Sequence, residues 1–144
     1  MQIKHCLGLV SALMLCACGD GRTPFDIGET VSGTVTTGDS HWTSCDSSSS
    51  DADCNDGYSD HYQADVSAGV TYTVVFTSTD PGVEFEDVDG GRVTGTSGVS
   101  GSSMGADDSP LKWVPATSGT HAVGIYAVSS YVPADYTFKV TEGN

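Results

Sequence analysis

Beyond residue 15 this chain has a single leucine, Leu111; the other four, Leu7, Leu9, Leu13 and Leu15, are crowded into the first fifteen of its 144 residues. A helical core cannot be assembled from that supply. After residue 18 come 15 Val, 16 Thr, 18 Ser and 17 Gly, a mixture that favours strands and turns. The β-branched and aromatic residues recur in clusters, which sets the chain apart from a disordered one. Nineteen acidic side chains stand against five basic ones, a net charge of −14. Such a balance argues against binding nucleic acid or anionic lipid through charge.

Period-two alternation marks the strands. Val31, Gly33 and Val35 share one face, as do Tyr62, Ala64 and Val66, then Tyr72, Val74 and Phe76. Further along, Val83 and Phe85 alternate with Glu84 and Glu86, Val123 and Ile125 follow Gly119, and Tyr136, Phe138 and Val140 alternate with Thr137, Lys139 and Thr141. Ala68-Gly69, Asp89-Gly90-Gly91 and Ser118-Gly119 supply turn residues that tolerate positive φ. Short turn-bounded strands of this kind predict a sandwich or barrel. Two stretches break the rhythm, Cys45 to Ser59 and Gly95 to Pro110, and read as long surface loops.

The N-terminus has a short polar start with Lys4 and His5, then about twelve mostly apolar residues and an abrupt polar run from Gly19. This is the pattern of a signal peptide, and it is too short for a retained spanning helix. Leu15-Cys16-Ala17-Cys18 resembles the bacterial lipobox, which makes Cys18 the expected lipidated residue. Cleavage by an ordinary signal peptidase, leaving Cys18 a free thiol, is the alternative. The expected organisation is a lipoprotein signal peptide at 1–17, a tether at 18–26 and one domain at 27–144. Anchoring to the membrane through the N-terminal lipid, with Gly19 after the cysteine, points to an extracytoplasmic protein of the bacterial outer membrane.

Val31-Ser32-Gly33-Thr34-Val35, the Asp60-His61-Tyr62 strand start, Ala68-Gly69-Val70-Thr71-Tyr72, Ser118-Gly119-Thr120 and the closing Tyr136-Thr137-Phe138-Lys139-Val140 together resemble the bacterial pre-peptidase C-terminal domain over about residues 27 to 141. The resemblance implies an all-β, jelly-roll-like antiparallel β-sandwich of about eight strands. It also implies a non-catalytic accessory module of the kind attached to secreted hydrolases, related to domains that bind collagen.

Candidate chemistry is concentrated between residues 41 and 61. Cys45 and Cys54, the pair left once Cys18 is acylated, form a disulfide in the simplest reading of an exported chain. A Cys2His2 zinc site with His41 and His61 is the rival, at an atypical spacing. Asp46, Asp51, Asp53, Asn55, Asp56 and Asp60 supply the oxygen ligands that calcium prefers, although the loop lacks the glycine and glutamate positions of an EF-hand. A solvated acidic loop is the alternative. Gly101-Ser102-Ser103-Met104-Gly105 matches the nucleophile-elbow string without the strand and helix that the elbow needs, and Asp107-Asp108 are adjacent residues whose side chains diverge. No catalytic motif remains, so the chain reads as a non-enzyme.

The parity of the strands places His121 on the core side and His61 outward. Trp42 and Trp113 are expected to fill the sandwich core or its ends, while Tyr58, Tyr126 and Tyr131 are the candidate ligand-binding aromatics. The function expected is a module that binds an extracellular or envelope protein or polysaccharide; a structural envelope lipoprotein with no polymer ligand is the alternative, then a hydrolase with an unrecognised site.

Overall fold

The computed structural model describes residues 21–45 and 54–143. Their strands form two facing sheets of six. Numbered in chain order, the first sheet holds β1 (Thr23–Pro24), β3 (Ser40–Cys45), β4 (Cys54–Val66), β6 (Val83–Asp87), β9 (Ser103–Gly105) and β11 (Gly119–Val128). The second holds β2 (Thr30–Val35), β5 (Tyr72–Ser78), β7 (Arg92–Thr94), β8 (Ser100–Gly101), β10 (Leu111–Val114) and β12 (Ala134–Glu142). The first is ordered β1-β4-β11-β6-β9 with β3 also on β4; the second runs β2-β12-β5-β10-β7-β8. From β4 onward the chain crosses repeatedly between the two sheets, and among the described residues only the short β1–β4 pairing is parallel. The protein is an all-β sandwich.

The alternation in the sequence builds this core directly. Every apolar series that shares a strand face turns inward: Tyr62, Ala64 and Val66 on β4, Tyr72, Val74 and Phe76 on β5, Val83 and Phe85 on β6, Tyr136, Phe138 and Val140 on β12. Phe85 and Phe138 meet at 5.9 Å between ring centroids, and Phe85 continues to Trp113 at 6.0 Å. Edge-on contacts of this kind add to the area each ring removes from water. The turn glycines serve as expected at Gly69, Gly90 and Gly119, with φ of 73°, 88° and 106°.

Eight strands of four or more residues are present among the described residues, as expected, with four further pieces of two or three residues. Two expectations are corrected. The stretch from Cys54 to Ser59 is the first half of β4, hydrogen-bonded to β3, and not loop. Its alternation escapes a hydropathy reading because the outward positions are Gly57 and Ser59 and the inward ones are Asp56, Tyr58 and Asp60. The stretch Gly95 to Pro110 also contains β8, β9 and a short 3-10 turn at Ala106–Asp108, and it buries Met104.

Candidate functional site

The outer face of the first sheet carries its most unusual side chains. On β4 the outward residues are Gly57, Ser59 and His61; β11 lies beside it and sets Tyr126 opposite Ser59 and Gly124 opposite His61. β3, on the other side of β4, sets Trp42 opposite Gly57. β6 completes the surface with Glu84 opposite Tyr126 and Glu86 opposite Gly124. The glycines let the rings lie down: a Cβ on Gly57 would strike the Trp42 indole, and one on Gly124 would strike the Tyr126 ring. Tyr126 then meets Trp42 at 6.1 Å and His61 at 5.9 Å between ring centroids, both edge to face. His61 Nε2 is 3.4 Å from the Tyr126 hydroxyl.

The electrostatics of this face follow from crowding. Burial, then the neighbouring Glu84 and Asp87, push the Glu86 carboxyl above its ordinary range. Burial and Glu86 push the Tyr126 phenol up. Partial burial, with the positive charge of Arg22, holds His61 below its ordinary value, so its neutral form is favoured. Glu84 is exposed and accepts a 2.6 Å hydrogen bond from Ser103 Oγ.

A second polar group lies on the inner side of β4. The Tyr136 hydroxyl donates to Asp60 Oδ2 at 2.5 Å and lies 2.5 Å from the Tyr62 hydroxyl. Tyr136 faces Gly33 across the β12–β2 ladder, and a Cβ at Gly33 would occupy the phenol's place. The glycine of the Val-x-Gly strand, the Asp and Tyr of Asp-x-Tyr and the Tyr of the last strand therefore converge at one end of the sandwich. Burial is the main cause that raises the Asp60 carboxyl from 3.8 to about 6; the Tyr136 bond opposes it and the Asp39 carboxylate adds to it. Since this value exceeds the unfolded one, Asp60 contributes its full stabilisation below about pH 4, and that contribution is lost as pH rises through about 6. Taken whole, the difference corresponds to about 3 kcal/mol, and screening of the half-exposed group leaves about 1–2 kcal/mol. Urea unfolding at pH 7 and pH 4 should show the protein gaining that much relative to Asp60→Asn as pH falls. Equal pH responses of the two proteins would remove Asp60 as the cause.

A third group is wholly interior. Asp87, at the end of β6, accepts from Trp113 Nε1 at 2.5 Å and from the Asp89 backbone N–H at 2.9 Å; His121 Nε2 stands 2.9 Å from both its oxygens. Asp87 and His121 are 2% and 1% exposed, which excludes direct contact with a substrate.

Among the described residues, the candidates read from the sequence do not gather at one site. Cys18, Asp46, Asp51 and Asp53 lie outside the described residues. Cys45 and Cys54 are directly opposite each other in the β3–β4 ladder. Asn55 and Asp56, adjacent on a strand, face opposite sides of the sheet; Asp56 accepts from Ser129 and lies near His41, while Asp60 is taken by Tyr136. These three therefore do not converge on one cation, and among the described residues no group of three acidic, histidine or cysteine side chains is arranged to hold a metal. His41 and His61 have opposite strand parities, His41 contacting Tyr58 and His61 contacting Tyr126. That separates the two imidazoles of the zinc reading.

Of the three binding tyrosines, Tyr126 is on the outer face. Tyr58 instead turns inward against the core, and Tyr131 lies over Gly82 in a 3-10 turn at Ser129–Tyr131. Trp113 is fully buried as expected, but Trp42 is on the outer face rather than in the core. Ser103 is a strand residue bound to Glu84, and Asp107 and Asp108 sit in the turn after β9. The residues that sequence reasoning missed are Trp42, Glu84 and Glu86. The outward parity of the two glutamates was visible; their alignment with Tyr126 required the register.

Fold and site together define an all-β sandwich with an aromatic and acidic outer face. No family model matches the chain, and no curated protein does. Among solved structures it is similar to PliG of Aeromonas hydrophila, a periplasmic lysozyme inhibitor of g-type lysozyme. The identity is 15%, over 83% of this chain and 96% of that one, with a TM-score of 0.36. A likeness at that level carries no argument about function.

Proposed function

We propose that this chain is a non-catalytic, extracytoplasmic binding module, tethered by a lipid on Cys18, whose outer sheet face engages an extracellular or envelope polymer. The observation that carries the reading is the Trp42–Tyr126–His61 surface. Aromatic rings laid over glycines on a strand scaffold present rigid, amphipathic area at little entropic cost, the property that makes such residues dominate binding surfaces. The pre-peptidase C-terminal resemblance agrees with an accessory role, and the convergence of Gly33, Asp60, Tyr62 and Tyr136 supplies a packing reason for its motifs. A Cys45–Cys54 disulfide belongs to the same proposal. Its support is the ladder register, which sets the two residues directly opposite each other on β3 and β4.

Retention of the mature protein on immobilised collagen, peptidoglycan and neutral polysaccharides tests the reading. At least one matrix should hold it, and Trp42→Ala with Tyr126→Ala should reduce retention by about tenfold or more, as loss of central aromatic anchors does. Retention on none of them, or retention indifferent to both substitutions, would favour a purely structural lipoprotein. Intact-mass analysis of the same preparation tests the anchor and the bridge: a lipid adduct on Cys18 and no free thiol are expected, and an unmodified chain starting elsewhere removes the tether.

A further inference from the structure

We propose that the outer face formed by Trp42, Tyr126 and His61 beside Glu84 and Glu86 docks an arginine- or lysine-bearing segment of a partner protein. This inference rests on the binding-module reading and names the chemistry of its occupant.

Three independent features of the face favour a cation. The Trp42 and Tyr126 rings are half-buried and aligned across β3, β4 and β11, and a ring face attracts a guanidinium or ammonium through its quadrupole. Glu84 and Glu86 are on the same face of β6, directly across from Tyr126 and Gly124, where a carboxylate can accept a charge-assisted hydrogen bond from a side chain resting on the ring. The chain as a whole carries −14, so its field draws basic partners and repels acidic ones.

The arrangement of the carboxylates separates a basic protein from a neutral sugar. Glu84 and Glu86 stand two residues apart on one face of β6, and burial, followed by the charges of Glu84 and Asp87, makes Glu86 hold its proton more tightly than an ordinary carboxyl. A bound cation relieves that repulsion. A sugar hydroxyl accepts or donates a hydrogen bond but leaves the two negative charges facing each other. Gly124 keeps the floor between Glu86 and His61 free of a side chain, and the Tyr126 ring partly covers it.

The test is an NMR titration of the full mature protein with N-acetyl-arginine amide, with its uncharged citrulline counterpart, and with cellohexaose. The arginine probe should shift the Gly124 and Tyr126 amides and the Trp42 indole N–H, and citrulline should not. Glu84→Gln with Glu86→Gln should weaken arginine binding by about tenfold, whereas Asp135→Asn with Glu142→Gln, which removes two charges from the opposite sheet, should change it by less than about twofold. The proposal is overturned if arginine and citrulline act alike, if both double variants weaken binding equally, or if arginine shifts no signal on this face. Cellohexaose shifting the same signals while arginine does not would overturn the cation and leave the polymer-binding reading standing. If neither probe perturbs the face and retention is also indifferent to Trp42→Ala and Tyr126→Ala, both readings fall.

Discussion

Asp87→Ala is expected to cost about 3–5 kcal/mol of folding stability, the range seen when one partner of a buried polar pair is removed. The substitution strands two side-chain donors, Trp113 Nε1 and His121 Nε2, in a region that is almost wholly closed to water, and also removes the acceptor of the Asp89 backbone N–H. Each orphaned donor costs about 1–3 kcal/mol in desolvation that is no longer compensated. A cavity of carboxyl size adds to it. His121 Nδ1 already lacks a partner among the described residues, so the imidazole has no second bond to fall back on. Asp89→Ala is the control: Asp89 is exposed, accepts from the Ala122 backbone N–H at 2.7 Å, and should cost about 1 kcal/mol. Urea unfolding monitored by tryptophan fluorescence reads both. A loss at Asp87 no greater than at Asp89 would show that the interior network is dispensable.

Phe138→Ala should be comparably severe, about 3–5 kcal/mol, because it combines lost transfer free energy with a cavity that the sandwich cannot collapse into. Phe138 is fully buried on β12 and touches Phe25 and Tyr62 at 5.2 Å and Phe85 at 5.9 Å between centroids, so one ring joins both sheets and the N-terminal segment. Val75→Ala, on the neighbouring strand but 50% exposed, should stay within about 0.5 kcal/mol. If the two substitutions cost the same, the aromatic packing is not what holds the sheets together.

The parts of the candidate site that lay open in the sequence are those that parity alone decides. Tyr126 and His61 were outward and His121 inward by counting along their own strands, and each is found there. Trp42 was misplaced because β3, reading Ser-His-Trp-Thr-Ser-Cys, has no apolar alternation to announce which side faces the core. Tyr58 was misplaced for the related reason that a Ser- and Asp-rich stretch looks like a loop until its partner strand is known. Polar strands are specified by the strand they pair with, and that partner is remote information.

The sequence by itself determined that the protein is all-β, which of its apolar segments are strands, where three of its turns fall and which residues of those strands face the core. Local physics is enough for these: side chains alternate across a strand, apolar ones leave water, and glycine accepts positive φ. Only the tertiary structure decided what stands beside what. Tyr126 reaches Glu84 through the β11–β6 register, Trp42 comes within reach through β3 and β4, and Asp87 finds Trp113 and His121 from strands in both sheets. A period of two assigns a side chain to a face and says nothing of the row it occupies; the row is set by pairing between strands far apart in the chain, and a one-residue slip would turn every side chain over.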